Sequence, residues 1–229
     1  MFDKSVPVIT LDGPSGTGKG TLCHLLANHL HWHMLDSGAI YRVLALAARQ
    51  CEISVNDINK LIKLALSLDL RFESTEDNES RIFLDNVDVT QAIRSEQCGQ
   101  DASIIAIIPE VRQALLERQR NFAKAPGLVT DGRDMGTVVF PDALLKIFLY
   151  ASAEERANRR FLQLQANGNN VSLAQVVEEL HKRDTRDVAR ACSPLIPAAD
   201  AIQVDTTGLT IVQVLQNVLQ LVDKHIKNA

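Results

Sequence analysis

The sequence predicts an α/β fold in which helices cover both faces of a parallel β-sheet. Short aliphatic runs alternate along the chain with longer helical patterns, which is typical of parallel sheets. A glycine-rich segment also joins the first of these runs to the first helical pattern. Between residues 68 and 89 apolar residues alternate with charged ones, which predicts a small antiparallel insertion rather than another strand and helix.

Five runs rich in β-branched or aliphatic residues are the candidate strands of the sheet. In chain order they are Val6–Leu11, His33–Leu35, Leu128–Thr130, Leu144–Tyr150 and Ala201–Val204. Helices are predicted at Leu22–Ala27, Ile40–Arg49, Val111–Lys124, Ala153–Gln165, Leu173–Arg190 and Thr210–Lys227. Ligands of parallel sheets bind beyond the carboxyl ends of the strands. We therefore expect the loops after the first three strands to converge on one crevice.

The composition limits the classes of protein to which this chain can belong. With 229 residues, of which 46% are hydrophobic, the chain is expected to form one globular domain, with Leu68–Val89 as an inserted ribbon and Thr75–Glu79 as its turn. A net charge of −4 argues against an open basic surface for nucleic acid. The apolar runs are far too short to span a bilayer, and no leader-like segment precedes the glycine-rich segment, so we expect a cytoplasmic protein.

The glycine-rich segment reads Gly13-Pro14-Ser15-Gly16-Thr17-Gly18-Lys19-Gly20-Thr21. Between a strand and a helix, such a turn leaves backbone N–H groups facing a phosphate chain, and Lys19 adds a charge for the β- and γ-phosphates. The hydroxyl that usually follows the lysine arrives one residue later, at Thr21. The alternative is a flexible turn without a ligand, which needs neither so many glycines nor a lysine. The segment therefore predicts a nucleoside triphosphate site.

The loop after the second strand contains Asp36, Ser37, Tyr41 and Arg42. Ser37 is suited to cap the following helix, and this role does not exclude contact with a ligand. Arg42 stands in an otherwise apolar helix, where it is either a solvated charge or, near the predicted crevice, the partner of an anion.

The loop after the third strand reads Asp131-Gly132-Arg133-Asp134-Met135-Gly136-Thr137. Arg133 can donate two parallel hydrogen bonds to a phosphate. The flanking carboxylates can accept from an amino group or hold a hydrated Mg²⁺. An Arg–Asp ion pair within the turn is the alternative.

A third charged cluster lies near the C-terminus, where Arg183, Asp187 and Arg190 share one face of a helix. An i,i+4 pair of Arg183 with Asp187 is the ordinary interpretation, but beside a phosphate loop these arginines indicate clamps for a transferring phosphoryl group. A second basic turn on the preceding helix contains Arg156, Arg159 and Arg160. The two helices predict a lid that closes and excludes water. No metal site is predicted from His29, His31 and His33, because no cysteine or second histidine pair completes a ligand set.

Three stretches of the chain resemble bacterial cytidylate kinases, namely Gly13–Thr21, Leu35–Arg42 and Asp131–Pro141. The same family is matched by Arg183, Asp187 and Arg190, followed by Pro194-Leu195 and Ala198–Ala201. The resemblance covers essentially the whole chain, and its second and third motifs are more specific than the phosphate loop. Gln100 and Asp101 depart from the family pattern.

The resemblance implies a P-loop nucleoside-monophosphate-kinase fold with a five-stranded parallel sheet. It implies a single domain over residues 1–229, with a core of 1–67, 90–152 and 192–229, a β insertion at about 68–89 and a short helical lid at about 153–191. The implied reaction transfers the γ-phosphate of ATP to CMP or dCMP. Mg²⁺ would come with ATP, held through water and Thr21, and the enzyme would be a monomer that binds neither nucleic acid nor membrane.

The resemblance also implies roles for single residues. Gly13–Thr21 would hold the ATP phosphates, and the catalytic cations would be Lys19, Arg133, Arg183 and Arg190. The CMP phosphate would bind Arg42, Arg133 and Arg183, with Arg190 on the migrating group, while Asp187 would accept from the ribose hydroxyls. Cytosine would be read by Ser37, Ser103, Arg112 and Asp134, and Asp36 and Tyr41 complete the acceptor site. A kinase for UMP, AMP or shikimate and a non-catalytic nucleotide-binding switch remain open alternatives.

Overall fold

The computed structural model describes residues 5–74, 80–166, 168, 170–190 and 192–226. The strands are β1 (Val8–Asp12), β2 (His33–Asp36), β3 (Leu70–Ser74), β4 (Ser80–Leu84), β5 (Val87–Asp88), β6 (Leu128–Asp131), β7 (Leu145–Tyr150) and β8 (Ile202–Asp205). The helices are α1 (Lys19–Leu30), α2 (Ser37–Gln50), α3 (Ile58–Ser67), α4 (Glu96–Ile105), α5 (Pro109–Arg120), α6 (Ala153–Ala166), α7 (Leu173–Val188) and α8 (Ile211–Ile226). The chain forms two compact units, of which the smaller is Asp36–Asn121 and the larger comprises the residues up to Leu35 and from Phe122 onward.

The larger unit is built on a five-stranded sheet with the order β2-β6-β1-β7-β8. β1 pairs in parallel with β6 on one side and with β7 on the other, and β7 pairs in parallel with β8. All five residues of β1 are buried, because a central parallel strand is covered on both faces. The aliphatic side chains of the sheet pack against α1 and α8, with Leu22, Leu26 and Val218 fully buried between them. The predicted parallel five-stranded α/β fold is therefore confirmed.

The smaller unit carries helices α2 to α5 and a three-stranded antiparallel sheet in the order β3-β4-β5. Alternate residues point inward, so that Leu70 and its partner Leu84 are both buried. Asp85 and Asn86 join β4 to β5 with φ of 49° and 66°, as in the tight turns that suit twisted hairpins. The predicted insertion at 68–89 is thus present with one strand more than a ribbon, and its predicted turn, Thr75–Glu79, lies outside the described residues.

Two helices were not predicted from the sequence. α3 begins at the N-cap Asp57, whose carboxylate accepts from the N–H of Lys60, and α4 begins at Ser95, whose hydroxyl accepts from the N–H of Cys98. Each is 10 residues long, and α3 buries only two of its residues. α4 has a weak apolar face and gives little periodicity to detect, whereas α3 carries apolar residues at helical spacing, Ile58, Leu61, Ile62 and Ala65, which the sequence analysis did not use. Elsewhere the predicted helix Val111–Lys124 begins two residues earlier and ends at Arg120, where its cap forms.

Within the described ranges, no helix combines the length and apolar character needed to cross a membrane.

Candidate active site

The phosphate loop leads from the end of β1 into α1, as predicted. Its conformation depends on Gly13, whose φ is 141°. A Cβ at that position would lie 2.0 Å from the carbonyl oxygen of Leu149 on β7, so only glycine lets the loop leave the sheet here. Gly18, with φ of 89°, directly precedes the first turn of α1. The first N–H groups of α1 therefore emerge next to the loop, at the end of the helix that favours anions.

Lys19 turns back into this loop. Its Nζ donates to the carbonyl oxygen of Pro14 at 2.7 Å and lies 3.4 Å from Thr17 Oγ1. Burial, together with the nearby positive charge of Arg133, lowers the pKa of Lys19 well below its ordinary value. An anion bound in the loop would favour the charged form of the lysine, because opposite charges favour each other's ionisation.

Arg133 links the phosphate loop to α7. Its Nη2 donates to Ser15 Oγ at 2.7 Å, and its Nε donates to Asp187 Oδ2 at 2.7 Å. Arg190 donates to the other oxygen of the same carboxylate. Where an Arg–Asp ion pair within the turn was the alternative to phosphate binding, Arg133 forms its ion pair with Asp187, 54 residues further along the chain.

The Asp187 carboxylate is 1% exposed. Burial by itself would raise its pKa, but the charges of Arg133, Arg190 and Arg183 outweigh that effect and hold the pKa below its ordinary value. Arg183 and Arg133 both lie close enough to Lys19 to lower its pKa as well. The four predicted catalytic cations, Lys19, Arg133, Arg183 and Arg190, therefore belong to one cluster around Asp187 and the phosphate loop.

The first of the two predicted lid helices also contacts the loop. Arg156 on α6 donates to the carbonyl oxygen of Ser15 at 3.1 Å and forms an ion pair with Asp184 of α7 at 2.7 Å. One buried guanidinium thus holds α6, α7 and the phosphate loop together. The tip between these helices was predicted at residues 166–170, of which Asn167 and Asn169 lie outside the described residues.

Asp12 is a site residue that the sequence analysis missed. Its two carboxylate oxygens accept from the N–H groups of Met135 and Gly136, each at 2.8 Å, and so fix the π-helical turn Met135–Val139 to the end of β1. Burial raises the pKa of Asp12 to about 6, although the two backbone hydrogen bonds oppose this, and the nearby Asp134 adds to the rise. An acid that ends an otherwise apolar strand was the available signal.

In the smaller unit, α2 begins next to a buried polar pair. Asp36 is the N-cap of α2, because its carboxylate accepts from the N–H of Ala39 at 3.0 Å. The expectation that Ser37 caps this helix is therefore wrong. The hydroxyl of Ser37 instead donates to Oε1 of Gln119 on α5 at 2.7 Å, in a fully buried setting. Gln119 was not predicted, since nothing in its local sequence marks it.

The other predicted acceptor residues of this unit lie on α2, α4 and α5. Arg112 is buried, donates to the carbonyl oxygen of Ala106 at 3.0 Å, and lies over the ring of Tyr41 at 5.5 Å from its centroid. Ser103 is buried, and its hydroxyl makes no hydrogen bond within the described residues. Arg42 is half-buried, with its guanidinium 3.9 Å from the Asp36 carboxylate. Buried polar groups of this kind are well suited to reading the polar edge of a ligand.

The sequence profile described as Cytidylate kinase matches residues 9–224. The chain belongs to the cytidylate kinase family. A protein named cytidylate kinase from Stutzerimonas stutzeri (strain A1501) is 58% identical over 217 residues, which cover 94% of this chain and 95% of that protein. Another of that name, from Shewanella frigidimarina (strain NCIMB 400), is 55% identical over 99% of both chains. A gluconokinase structure from Sinorhizobium meliloti 1021 shares the fold, with a TM-score of 0.50 and 14% identity over 97% of this chain and 94% of that one.

Membership of the cytidylate kinase family confirms the resemblance on which the residue roles were based. The fold expected of the family is also present, with a parallel five-stranded sheet between helices and a small antiparallel sheet. The larger unit gathers the phosphate loop with Arg133, Asp134, Arg183, Asp187 and Arg190. The smaller unit gathers Asp36, Ser37, Tyr41, Arg42, Ser103 and Arg112. Asp101 accepts hydrogen bonds from Arg49 and, at 2.9 Å, from Gln97.

Proposed function

We propose that this protein transfers the γ-phosphate of ATP to CMP and dCMP, giving ADP with CDP or dCDP. The names of its relatives, at 55–58% identity over nearly the whole chain, support this reaction. We further propose that it acts as a monomer in the cytoplasm.

The observation that carries the proposal is the bond from Arg133 to Ser15 of the phosphate loop, at 2.7 Å. This bond supports the proposal because it holds an arginine against the phosphate loop, while the same side chain, through Asp187, is joined to Arg190. Phosphoryl transfer requires alignment of donor and acceptor and positive charge around the migrating group. A nucleotide-binding switch would use the phosphate loop but has no need for this set of arginines.

In the proposed reaction the residues take the roles that the family resemblance implies. Gly13–Thr21 bind the ATP phosphates, and Arg133 and Arg183 bind the CMP phosphate together with Arg42. Arg190 stabilises the migrating group, and Asp187 accepts from the ribose. Cytosine is read by Ser37, Ser103 and Arg112 with Asp134, while Asp36 and Tyr41 support them. The helices α6 and α7 act as the lid that excludes water, so that ATP is not hydrolysed.

Mg²⁺ would arrive with ATP and would neutralise charge on its phosphates. No group of three or more His, Cys, Asp or Glu side chains suited to a metal occurs in the described ranges. Magnesium in kinases keeps several waters and is held mainly by the substrate phosphates. The exposed hydroxyl of Thr21, in the first turn of α1, fits a water-rich coordination of this type.

The test is ADP release measured with CMP, dCMP, UMP, AMP and shikimate as acceptors. We expect kcat/KM for CMP and dCMP to exceed that for each other acceptor by roughly tenfold or more. Lys19→Ala should lower kcat about 10²- to 10³-fold, since it removes a charge aimed at the donor phosphates. The control is Lys60→Ala, which removes an exposed lysine of the smaller unit and should leave kcat unchanged. ATP binding without ADP release for any acceptor would establish the switch instead.

A further inference from the structure

The hydrogen bond between Ser37 and Gln119 has a fixed donor and a fixed acceptor, and its direction bears on which nucleotide base the enzyme prefers. Ser37 Oγ donates to Gln119 Oε1 at 2.7 Å. The two residues are separated by 82 positions in the chain, and only 4% of Ser37 and 1% of Gln119 are exposed. Water therefore does not compete for this bond, and neither group has a solvent alternative within reach.

The amide of Gln119 is held with its carbonyl oxygen toward Ser37. Its Nε2 lies 3.5 Å from the carbonyl oxygen of Leu115, one turn earlier on α5, to which it donates. Turning the amide over would place the Gln119 carbonyl oxygen against the carbonyl oxygen of Leu115, with no proton between them. The helix backbone thus sets the orientation of the side chain, and the side chain sets the direction of the serine proton.

A hydroxyl has one proton to give and two lone pairs with which to accept. Because the Ser37 proton is committed to Gln119, Ser37 can offer a ligand only an acceptor. The hydroxyl of Ser103 differs, since it makes no hydrogen bond within the described residues and is free to rotate into either role. Of these two buried serines, only Ser37 can distinguish a donor from an acceptor on the base.

We propose that Gln119 is a positioning residue that sets the preference for cytosine over uracil by holding Ser37 as a hydrogen-bond acceptor. The inference rests on the proposed function. Cytosine presents an exocyclic amino group where uracil presents a carbonyl oxygen. The amino group donates to the serine oxygen, whereas the uracil carbonyl would face lone pairs and leave a buried acceptor unsatisfied.

An unsatisfied buried acceptor corresponds to a discrimination on the order of 10- to 100-fold. Gln119→Leu removes the acceptor and frees the Ser37 proton, so the ratio of kcat/KM for CMP to that for UMP should fall by about this factor. Gln119→Glu keeps an acceptor oxygen for Ser37 and, while its buried carboxyl is protonated, a donor for the Leu115 carbonyl, so it should retain the wild-type ratio at pH 6. Gln113→Leu, an exposed residue of the same helix, is the matched control and should change nothing.

The ratio compares two substrates on one sample, so a loss of folded protein cancels out of it. In a Ser37→Ala background, Gln119→Leu should have no further effect on the ratio, because Gln119 acts through the hydroxyl. If Gln119→Leu does not fold, Gln119→Ala is measured in the same way.

The proposal is overturned if removing the acceptor leaves the ratio unchanged, or if it changes the ratio equally when Ser37 is absent. It is also overturned if Gln119→Glu behaves like the leucine variant. Failure of the proposed function itself would look different, since the wild-type enzyme would then show no preference for CMP to begin with.

Discussion

Replacing Asp187 by asparagine should destabilise the larger unit strongly while barely altering its shape. The wild-type carboxylate accepts from Arg133 at 2.7 Å and from Arg190, and it is almost fully buried. Asparagine keeps the size of the side chain and one acceptor oxygen but removes the charge. The guanidinium groups then lose the anion that compensates for their own burial.

Breaking a buried ion pair by removing one partner costs about 3–5 kcal/mol. Because asparagine still accepts one hydrogen bond, we expect the lower end, about 3 kcal/mol. For a protein of this size that corresponds to a fall in Tm of about 6–12 °C. The pKa of Asp187 is held below its ordinary value, so its stabilising effect is complete above the pKa of the unfolded chain and is lost as the pH falls through the lower folded-state pKa. The difference between wild type and variant should therefore be constant near neutrality and shrink below about pH 4.

Urea denaturation at pH 7 and at several values down to pH 3 measures this difference. Glu178→Gln is the matched control, an acid-to-amide change on the same helix that removes an exposed ion pair with Lys182. Its effect should stay below about 0.5 kcal/mol. The reasoning is refuted if Asp187→Asn costs no more than this control, or if its cost is the same at pH 3 as at pH 7.

Three further outcomes follow from the structure. The pKa of Asp12 is raised from 3.8 to about 6. Its protonated form therefore stabilises the fold by about 3 kcal/mol below about pH 4, and this contribution disappears as the pH rises through 6. The unfolding free energy of wild type should fall over this pH range, and Asp12→Asn should lack that fall. Gly13→Ala should lower the free energy of unfolding by more than about 3 kcal/mol, since the added Cβ would lie 2.0 Å from the Leu149 carbonyl oxygen. Gly20→Ala, whose Cβ would meet no atom within 4 Å, should be neutral or stabilising by up to about 1 kcal/mol in the same denaturation experiment. If Asp187 accepts from the 2′-hydroxyl, Asp187→Ala should raise KM for CMP more than KM for dCMP, and equal increases would assign it to another hydroxyl.

The sheet and the phosphate loop could be predicted because their signals are local. The aliphatic run before Gly13 and the helix after Lys19 are adjacent in sequence, and the loop between them takes its conformation from its own glycines. The strands of the sheet are likewise marked by their own composition. The short helix α4 lacks such a marker because polar residues interrupt its apolar face, and the capping bonds that begin α3 and α4 were not used in the sequence analysis.

The partners of the buried polar groups could not be predicted, because each is chosen by the packing of distant segments. Arg133 stands between two acids in its own loop, yet it binds Asp187, and Ser37 could have capped its helix, yet it binds Gln119. In both cases the local alternative was physically sound, and burial decided against it. A polar group that is removed from water must find a partner wherever the fold places one, since leaving it unsatisfied costs more than a surface contact gains. In the described part of this chain such long-range bonds join Ser37 to Gln119, and the predicted loop Asp131–Thr137 to Asp12, and no motif marks Gln119 or Asp12. Residues that orient a catalytic group are therefore recognised from the bonds they make, and only a folded structure supplies those.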